Sequence, residues 1–254
     1  MAILATMPLA LTSAFHFVPA SFLRALIAQT SFTAPPLDDY LRVLPELVLA
    51  IFGMIVMVVD PLLEPEHNQK PLGTIALVGA LAALGSAFIM AAHPGTAFSG
   101  MVQVDSFSIF FHVLIIAIAA VSILSSYEYM AVQRIRAGEY YGLILFGTVG
   151  MCLMSSAIEL VLIFIALEIS SISTYVLAGF RRRDAASSES SLKYFLLGSF
   201  ATAFFLYGVA MMFGATGSTS IPVIREALAA GQSGLLAYVA VALMFVGLGF
   251  KVAS

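Results

Sequence analysis

Charged residues are scarce in this sequence. Asp, Glu, Lys and Arg make up 10% of its 254 residues, whereas a typical soluble domain carries about 25%. Hydrophobic residues make up 61%, and the mean hydropathy is +1.04. A soluble fold could not cover its surface with so few charges, so the composition excludes the water-soluble classes and predicts a protein of the lipid bilayer.

Tryptophan is absent, and Cys152 is the single cysteine. One cysteine excludes an internal disulfide and a cysteine-only metal cluster, and its apolar surroundings indicate a packing residue. The net charge is −3, and no basic tract predicts a nucleic-acid partner. No glycine-rich nucleotide motif and no histidine pair at haem- or metal-ligand spacing is found. We therefore predict no cofactor, metal ion or redox centre bound by this chain.

Long apolar runs dominate what is present. A spanning helix needs roughly 20 mostly apolar residues, and the runs are too long and too uniform for the alternating strands of a barrel. The sequence predicts an all-α membrane protein with about seven transmembrane helices. The predicted spans are 44–63, 72–92, 105–126, 138–156, 160–179, 191–214 and 235–254.

Positive charge is distributed unevenly between the predicted loops. The loops after the first, third and fifth spans carry Lys70, Arg134, Arg136, Arg181, Arg182 and Arg183. The loops after the second, fourth and sixth spans carry only Arg225. Cytoplasmic loops are enriched in Lys and Arg, so the first group is predicted to be cytoplasmic and the amino terminus to lie outside, on the periplasmic side.

Three segments outside or at the edge of the spans need separate interpretations. Residues 1–30 are apolar but lack a basic start, which favours an amino-terminal extension over a cleaved signal. Residues 221–232 form a short amphipathic stretch that suits a helix on the outer surface. The seventh span stops at Ser254 with no flanking loop, which favours a truncated chain over a natural end.

Glu168 is the leading functional candidate, because charge inside the hydrocarbon is costly and is retained for a reason. It lies eight residues after Leu160, about 12 Å into a core roughly 30 Å thick. Ser171 and Tyr175 follow at i+3 and i+7 and share its helix face, so this polar stripe should point into protein or a wet cavity. The alternative is a protonated glutamate that only links helices by a hydrogen bond.

Two lysines near the predicted cytoplasmic side are further candidates. Lys193 lies within a turn of the start of the sixth span, where it either pairs with a carboxylate on the neighbouring fifth span or snorkels to the interface. Lys251 follows Gly247-Leu248-Gly249-Phe250. Two glycines there predict a weakened or broken helix of the kind that holds ion sites; in an intact helix Lys251 would instead snorkel.

The remaining intramembrane ionisable groups receive structural interpretations. His112, about 10 Å into the third span, is interpreted as a packing residue rather than a proton relay. Glu46, Asp60 and Glu159 lie at span ends and are interpreted as interfacial or helix-capping residues.

Several segments agree in order and spacing with a known family. They are ELVLIFIALEISSISTYVLAGFRR at 159–182, SLKYFLLGSF at 191–200 and GLGFKV at 247–252, with LPEL at 44–47 and VDSF at 104–107. Together they resemble the subunit N family of the proton-pumping NADH:quinone oxidoreductase, respiratory complex I. The resemblance covers about residues 35–254.

The resemblance implies an antiporter-like fold, whose core is two inverted five-helix repeats that each contain a broken helix. It matches Glu168 to the family's buried glutamate, Lys251 to the lysine of the broken helix that pairs with it, and Lys193 to a further lysine. The implied organisation is an extension at 1–35, three spans at 36–137 and a first repeat, truncated at its carboxyl end, at 138–254. The second repeat lies beyond this sequence.

The resemblance also implies proton translocation through Glu168, Lys193 and Lys251 in a bacterial inner membrane. The chain would be one of several membrane-arm subunits in a hetero-oligomer whose other subunits use FMN, iron-sulfur clusters, NADH and quinone. Two alternatives stay open. One is a subunit of a sodium/proton antiporter or a membrane-bound hydrogenase; the other is a structural membrane subunit that conducts no ions.

Overall fold

The computed structural model describes residues 34–63, 70–133, 138–231 and 234–252. Their helices lie in one unit, Leu37–Ser254. The expectations for residues 1–30, for Arg134 and Arg136 and for the side chain of Lys70 fall outside the described part.

Helices account for most of the described chain. They are α1 Leu37–Arg42, α2 Leu44–Val59, α3 Lys70–Ala91, α4 Ser106–Gln133, α5 Gly138–Ser156, α6 Leu160–Ala178, α7 Ala185–Thr216, α8 Ile221–Ala229 and α9 Leu235–Lys251. One small antiparallel hairpin joins β1, Gly95–Ala97, to β2, Val102–Val104. The predicted all-α class is confirmed, and the hairpin is an addition that the apolar runs did not indicate.

Each of the seven predicted spans contains a helix over its described residues. Within the described ranges, five segments are long and apolar enough to cross a membrane: Leu44–Leu62, Pro71–Ala91, Ser106–Met130, Leu160–Ala178 and Ala185–Thr216. Helix α5 has 19 residues, but the polar start Gly138-Glu139-Tyr140-Tyr141 makes it less apolar, and α9 is an apolar helix of 17 residues. The chain is a multi-pass membrane protein.

The two larger groups of buried apolar side chains hold most of the helices together. The first lies between α2, α3, α4 and α5 and consists of Leu49, Val56, Leu72, Ala76, Ala80, Ala83, Ile116, Ala120, Ile123, Met130, Tyr141, Leu145, Val149 and Cys152. Cys152 is fully buried in it, which confirms the packing interpretation. The second lies between α6, α7, α8 and α9 and consists of Leu160, Phe205, Val209, Met212, Ile224 and Ala240.

Glycines mark the places where helices approach most closely. A Cβ at Gly150 of α5 would lie 2.6 Å from the carbonyl oxygen of Ala166 on α6. A Cβ at Gly247 of α9 would lie 2.5 Å from Cβ of Phe205 on α7. Small residues at such crossings are how membrane helices gain packing energy without a hydrophobic driving force between them.

Sequence reasoning left open whether the helix is broken before Lys251, and in the described residues it is intact there. Helix α9 is regular through Phe250 and includes Lys251, and Val252 follows as its C-cap. Gly247 serves the close approach to α7 instead of interrupting the helix.

The hairpin ties together one end of the bundle, which we call the hairpin end. The Arg42 side chain of α1 donates to the carbonyl oxygens of His93 (3.1 Å) and Thr96 (2.8 Å). The amide of Ile158, just before α6, donates to the carbonyl oxygen of Met101 at 2.9 Å. Helices α2, α4, α6 and α9 therefore begin at the hairpin end, whereas α3, α5 and α7 finish there.

Candidate functional site

Glu168 lies near the middle of α6, eight residues after the helix begins at Leu160. Its side-chain oxygen Oε1 is buried and has no hydrogen-bond partner among the described residues. Ser171 and Tyr175, predicted to share its face, are each 4% exposed. The prediction that this polar stripe points into protein is confirmed for Ser171 and Tyr175, and Glu168 itself is half-buried.

Lys251 meets this stripe from α9. Its Nζ donates to Oγ of Ser171 at 2.7 Å and to Oη of Tyr175 at 3.1 Å. The Ser171 hydroxyl donates in turn to the carbonyl oxygen of Leu167, so its oxygen is free to accept from the lysine. The ammonium also lies 5.1 Å from the centre of the Tyr175 ring, within the range of a cation–π interaction.

No ion pair joins Glu168 to Lys251 among the described salt bridges, so direct pairing of the two, as implied by the resemblance, is not what this structure shows. The Lys251 ammonium donates instead to the hydroxyls of Ser171 and Tyr175. The cluster thus places a carboxyl group, two hydroxyls and an ammonium on one side of α6.

Tyr175 is positioned by α7. At Gly198 a Cβ would overlap the tyrosine hydroxyl and lie 2.5 Å from Cζ, so only glycine leaves room for the ring there. The Tyr194 ring packs edge-on against Tyr175 with centroids 4.7 Å apart. The Ser191 hydroxyl donates to the Tyr175 carbonyl oxygen at 2.9 Å. These contacts confirm that the fifth and sixth predicted spans are neighbours.

Lys193 is not part of this cluster. Its Nζ lies 2.5 Å from Oε1 of Glu189, one turn earlier on α7, and the two side chains are 69% and 65% exposed. The suggested pairing of Lys193 with the carboxylate of the fifth span is wrong in this structure. The reason is rotational position, because Ser191, Tyr194 and Gly198 occupy the α7 face that meets α6.

Glu159 confirms the capping interpretation. It is the N-cap of α6, and its Oε2 accepts from the amide of Leu162 at 2.7 Å. The cap supplies a partner for an amide that would otherwise be unsatisfied at the start of a membrane helix.

Glu46 contradicts the capping interpretation, whereas His112 is buried with hydrogen-bond partners, as its interpretation as a packing residue predicts. Glu46 is 4% exposed and makes no capping bond in α2; its Oε1 lies 2.8 Å from Nε2 of His112, which is fully buried in α4. Sequence reasoning missed this pair because the two residues are 66 positions apart. The available signal was two ionisable groups at similar depth from the same end of the bundle, since each needs a partner in lipid.

The described ranges contain no candidate metal centre. Nowhere in them do three or more His, Cys, Asp or Glu side chains come together in a way that could hold a metal ion.

Comparison with known proteins gives a consistent result. Residues 157–254 match the protein family described as "NADH:quinone oxidoreductase/Mrp antiporter, TM". The chain is 60% identical over 230 residues to NADH-quinone oxidoreductase subunit N 2 of Koribacter versatilis (strain Ellin345), a match that covers 87% of this chain and 46% of that protein. It is 43% identical over 218 residues to subunit N 1 of Solibacter usitatus (strain Ellin6076), covering 85% of this chain and 45% of that protein.

A solved structure agrees in fold and sequence. A chain of respiratory complex I from Thermus thermophilus is 35% identical, with a TM-score of 0.66, over 82% of this chain and 44% of that chain. The chain thus spans a little under half the length of the curated relatives it matches. On this evidence the chain belongs to the subunit N family of the NADH-quinone oxidoreductases.

Proposed function

We propose that this chain is part of a proton-translocating membrane-arm subunit of an NADH:quinone oxidoreductase, with Glu168, Lys251 and Lys193 as its proton-handling groups. The observation that carries the proposal is the contact of the Lys251 ammonium with Ser171 and Tyr175, on the same helix face as the buried oxygen of Glu168. An ammonium and a carboxyl group so placed inside a membrane are expected to serve an ion pathway.

In the proposed mechanism the polar stripe of α6 binds the Lys251 ammonium and controls whether the lysine keeps its proton. A negative Glu168 favours a protonated Lys251, and movement of the carboxyl group away from the lysine, or its neutralisation, favours release. The hydroxyls of Ser171 and Tyr175 hold the ammonium between these states. Moving one proton against 100 mV costs about 2.3 kcal/mol, so the change in electrostatic interaction must be of that order.

Electron transfer belongs to other subunits in this proposal. FMN, iron-sulfur clusters, NADH and quinone would act there, and their reaction would drive the charge movement at Glu168. The chain would sit in a bacterial inner membrane, with its amino terminus outside and residues 36–137 and 138–254 as separate parts of the subunit.

The test uses the full-length subunit assembled in its complex. Glu168→Gln and Lys251→Met each remove a charge at nearly constant volume, and both should lower the number of protons moved per NADH oxidised. Glu159→Gln is the matched control, since a glutamine oxygen can still accept from Leu162. Unchanged pumping by assembled Glu168→Gln and Lys251→Met complexes would overturn the proposal and leave a structural subunit that conducts no ions.

A sodium/proton antiporter subunit is a second candidate, because the matched family description includes the Mrp antiporters. The two functions differ in the driving reaction. Proton movement that requires NADH oxidation supports the oxidoreductase, and proton movement that requires a sodium gradient alone supports the antiporter.

A further inference from the structure

A second buried polar cluster lies near the hairpin end, built by helices that do not contribute to the Glu168 site. Oε1 of Glu46 on α2 is 2.8 Å from Nε2 of His112 on α4. The two side chains are 5% and 0% exposed. Both groups are therefore as buried as the apolar core around them, and the proposed mechanism uses neither.

The neighbours of His112 determine which of its nitrogens is permanently protonated. Nδ1 is 2.7 Å from the carbonyl oxygen of Ser108, which can only accept, so Nδ1 carries a hydrogen. Oγ of Ser155 lies 3.2 Å from the same nitrogen and donates its own hydrogen to the Cys152 carbonyl oxygen. Ser155 therefore also accepts from Nδ1, and the hydrogen bond between Nε2 and Oε1 of Glu46 requires one further proton between these two atoms.

That proton has two possible positions of similar stability. On Nε2 it gives an imidazolium beside a carboxylate; on Oε1 it gives a neutral imidazole beside a carboxylic acid. The first turn of α2 favours the carboxylate through the helix dipole. Oε2 of Glu46 favours the acid, because it is buried without a hydrogen-bond partner in the described chain and an unpaired carboxylate oxygen there is costly.

We propose that Glu46 and His112 form a second proton-binding site, in which one proton is shared between Oε1 and Nε2 and moves between them when the surroundings of Oε2 change. In this step the O–H bond at Oε1 breaks, the N–H bond at Nε2 forms, and the charge of the pair stays zero. A hydrogen-bond donor reaching Oε2, such as water or hydronium, stabilises the carboxylate and drives the proton to the histidine.

The charged surroundings of the pair are simple. Among the described ion pairs, His112 pairs with Glu46. Cys152, on the same helix as Ser155, is fully buried. The balance at Glu46 is therefore set by the helix dipole, by His112 and by whatever reaches Oε2.

The existence of the shared proton is tested by infrared spectroscopy on the full-length protein in membranes. A protonated carboxyl band that shifts on exchange into D₂O should be present in the wild type, be lost in Glu46→Gln and be kept in Glu159→Gln. Absence of a Glu46-dependent carboxyl band at every pH would overturn the proposal, because the pair would then be a fixed ion pair.

A second measurement covers the case in which Glu46→Gln does not fold. In wild-type protein with ¹⁵N-labelled histidine, Nε2 of His112 should show a signal intermediate between protonated and unprotonated nitrogen that changes with hydration. A signal fixed at full protonation under all conditions contradicts a shared proton.

A role for this site in proton transport rests on the proposed function. Measurements on the assembled complex distinguish the failure of one from the failure of the other. If Glu168→Gln lowers proton pumping and an assembled Glu46→Gln complex pumps like the wild type, a transport role for the pair is excluded and the proposed function stands. If Glu46→Gln also lowers pumping while Glu159→Gln does not, the pair belongs to the pathway. A purely structural pair predicts no loss in Glu46→Gln, since the amide retains the hydrogen bond to His112.

Discussion

Tyr175 of α6 packs its hydroxyl group against the backbone of Gly198 on α7, where a side chain of any size would collide with it. The same hydroxyl accepts from Lys251 of α9 at 3.1 Å. One tyrosine therefore connects three helices at the level of the candidate site. Substitutions around it can separate the packing role from the polar role.

Replacement of Gly198 by alanine should displace Tyr175. The added Cβ would lie 2.5 Å from Cζ of the ring, and overpacking of this kind costs about 1–3 kcal/mol. We expect a lower thermal unfolding temperature in detergent and weaker proton pumping. Gly214→Ala on the same helix is the control, because its Cβ would meet only Cδ2 of Leu236 at 3.6 Å. Equal stability of the two variants would show that Tyr175 relaxes without cost.

Removal of the two hydroxyls should affect Lys251 more than additively. Ser171→Ala and Tyr175→Phe each delete one acceptor, and a hydrogen bond to a charged group contributes about 1.5–3 kcal/mol. Either single variant leaves the ammonium with one of its two acceptors, whereas the double variant leaves it with neither. A double-mutant cycle on the free energy of unfolding measures the coupling. A coupling energy of zero would mean that Lys251 finds another partner.

Lys193 and Glu189 form a pair that tests the assignment of Lys193 to proton transfer. Exposed i,i+4 ion pairs contribute about 0.3–0.5 kcal/mol, so Lys193→Gln and Glu189→Gln should change stability equally little. If Lys193 handles protons, only Lys193→Gln lowers pumping in the assembled complex. Equal pumping by the two variants would remove Lys193 from the site and leave it as an interfacial residue.

The predicted orientation can be read from cysteine labelling, because the native Cys152 is fully buried and should not react. Ala186 at the start of α7 and Ala230 after α8 are both exposed and lie at opposite ends of the bundle. We expect Ala186→Cys to react with a membrane-impermeant thiol reagent only in inside-out vesicles, and Ala230→Cys only in right-side-out vesicles. The reverse pattern would refute the orientation with the amino terminus outside.

Much of the fold was predictable, because the cost of burying backbone amides in lipid forces long apolar runs into helices. The polar face of Glu168, Ser171 and Tyr175 followed from helical periodicity, and the cap at Glu159 from its place before an apolar run. The contact between Gly198 and Tyr175 was not predictable, because helical periodicity does not tell which face of α7 meets α6. The hairpin at 95–104 was not predicted, because strands of three residues each are too short to show an alternating pattern.

The sequence by itself determined which segments enter the bilayer and which ionisable groups go with them, because both follow from the free energy of transferring residues out of water. Tertiary structure alone decided the partners of those groups. It paired Lys251 with Ser171 and Tyr175, and Glu46 with His112. The physical reason is that a partner is chosen by helix rotation and crossing, and these depend on side-chain packing between segments far apart in the chain.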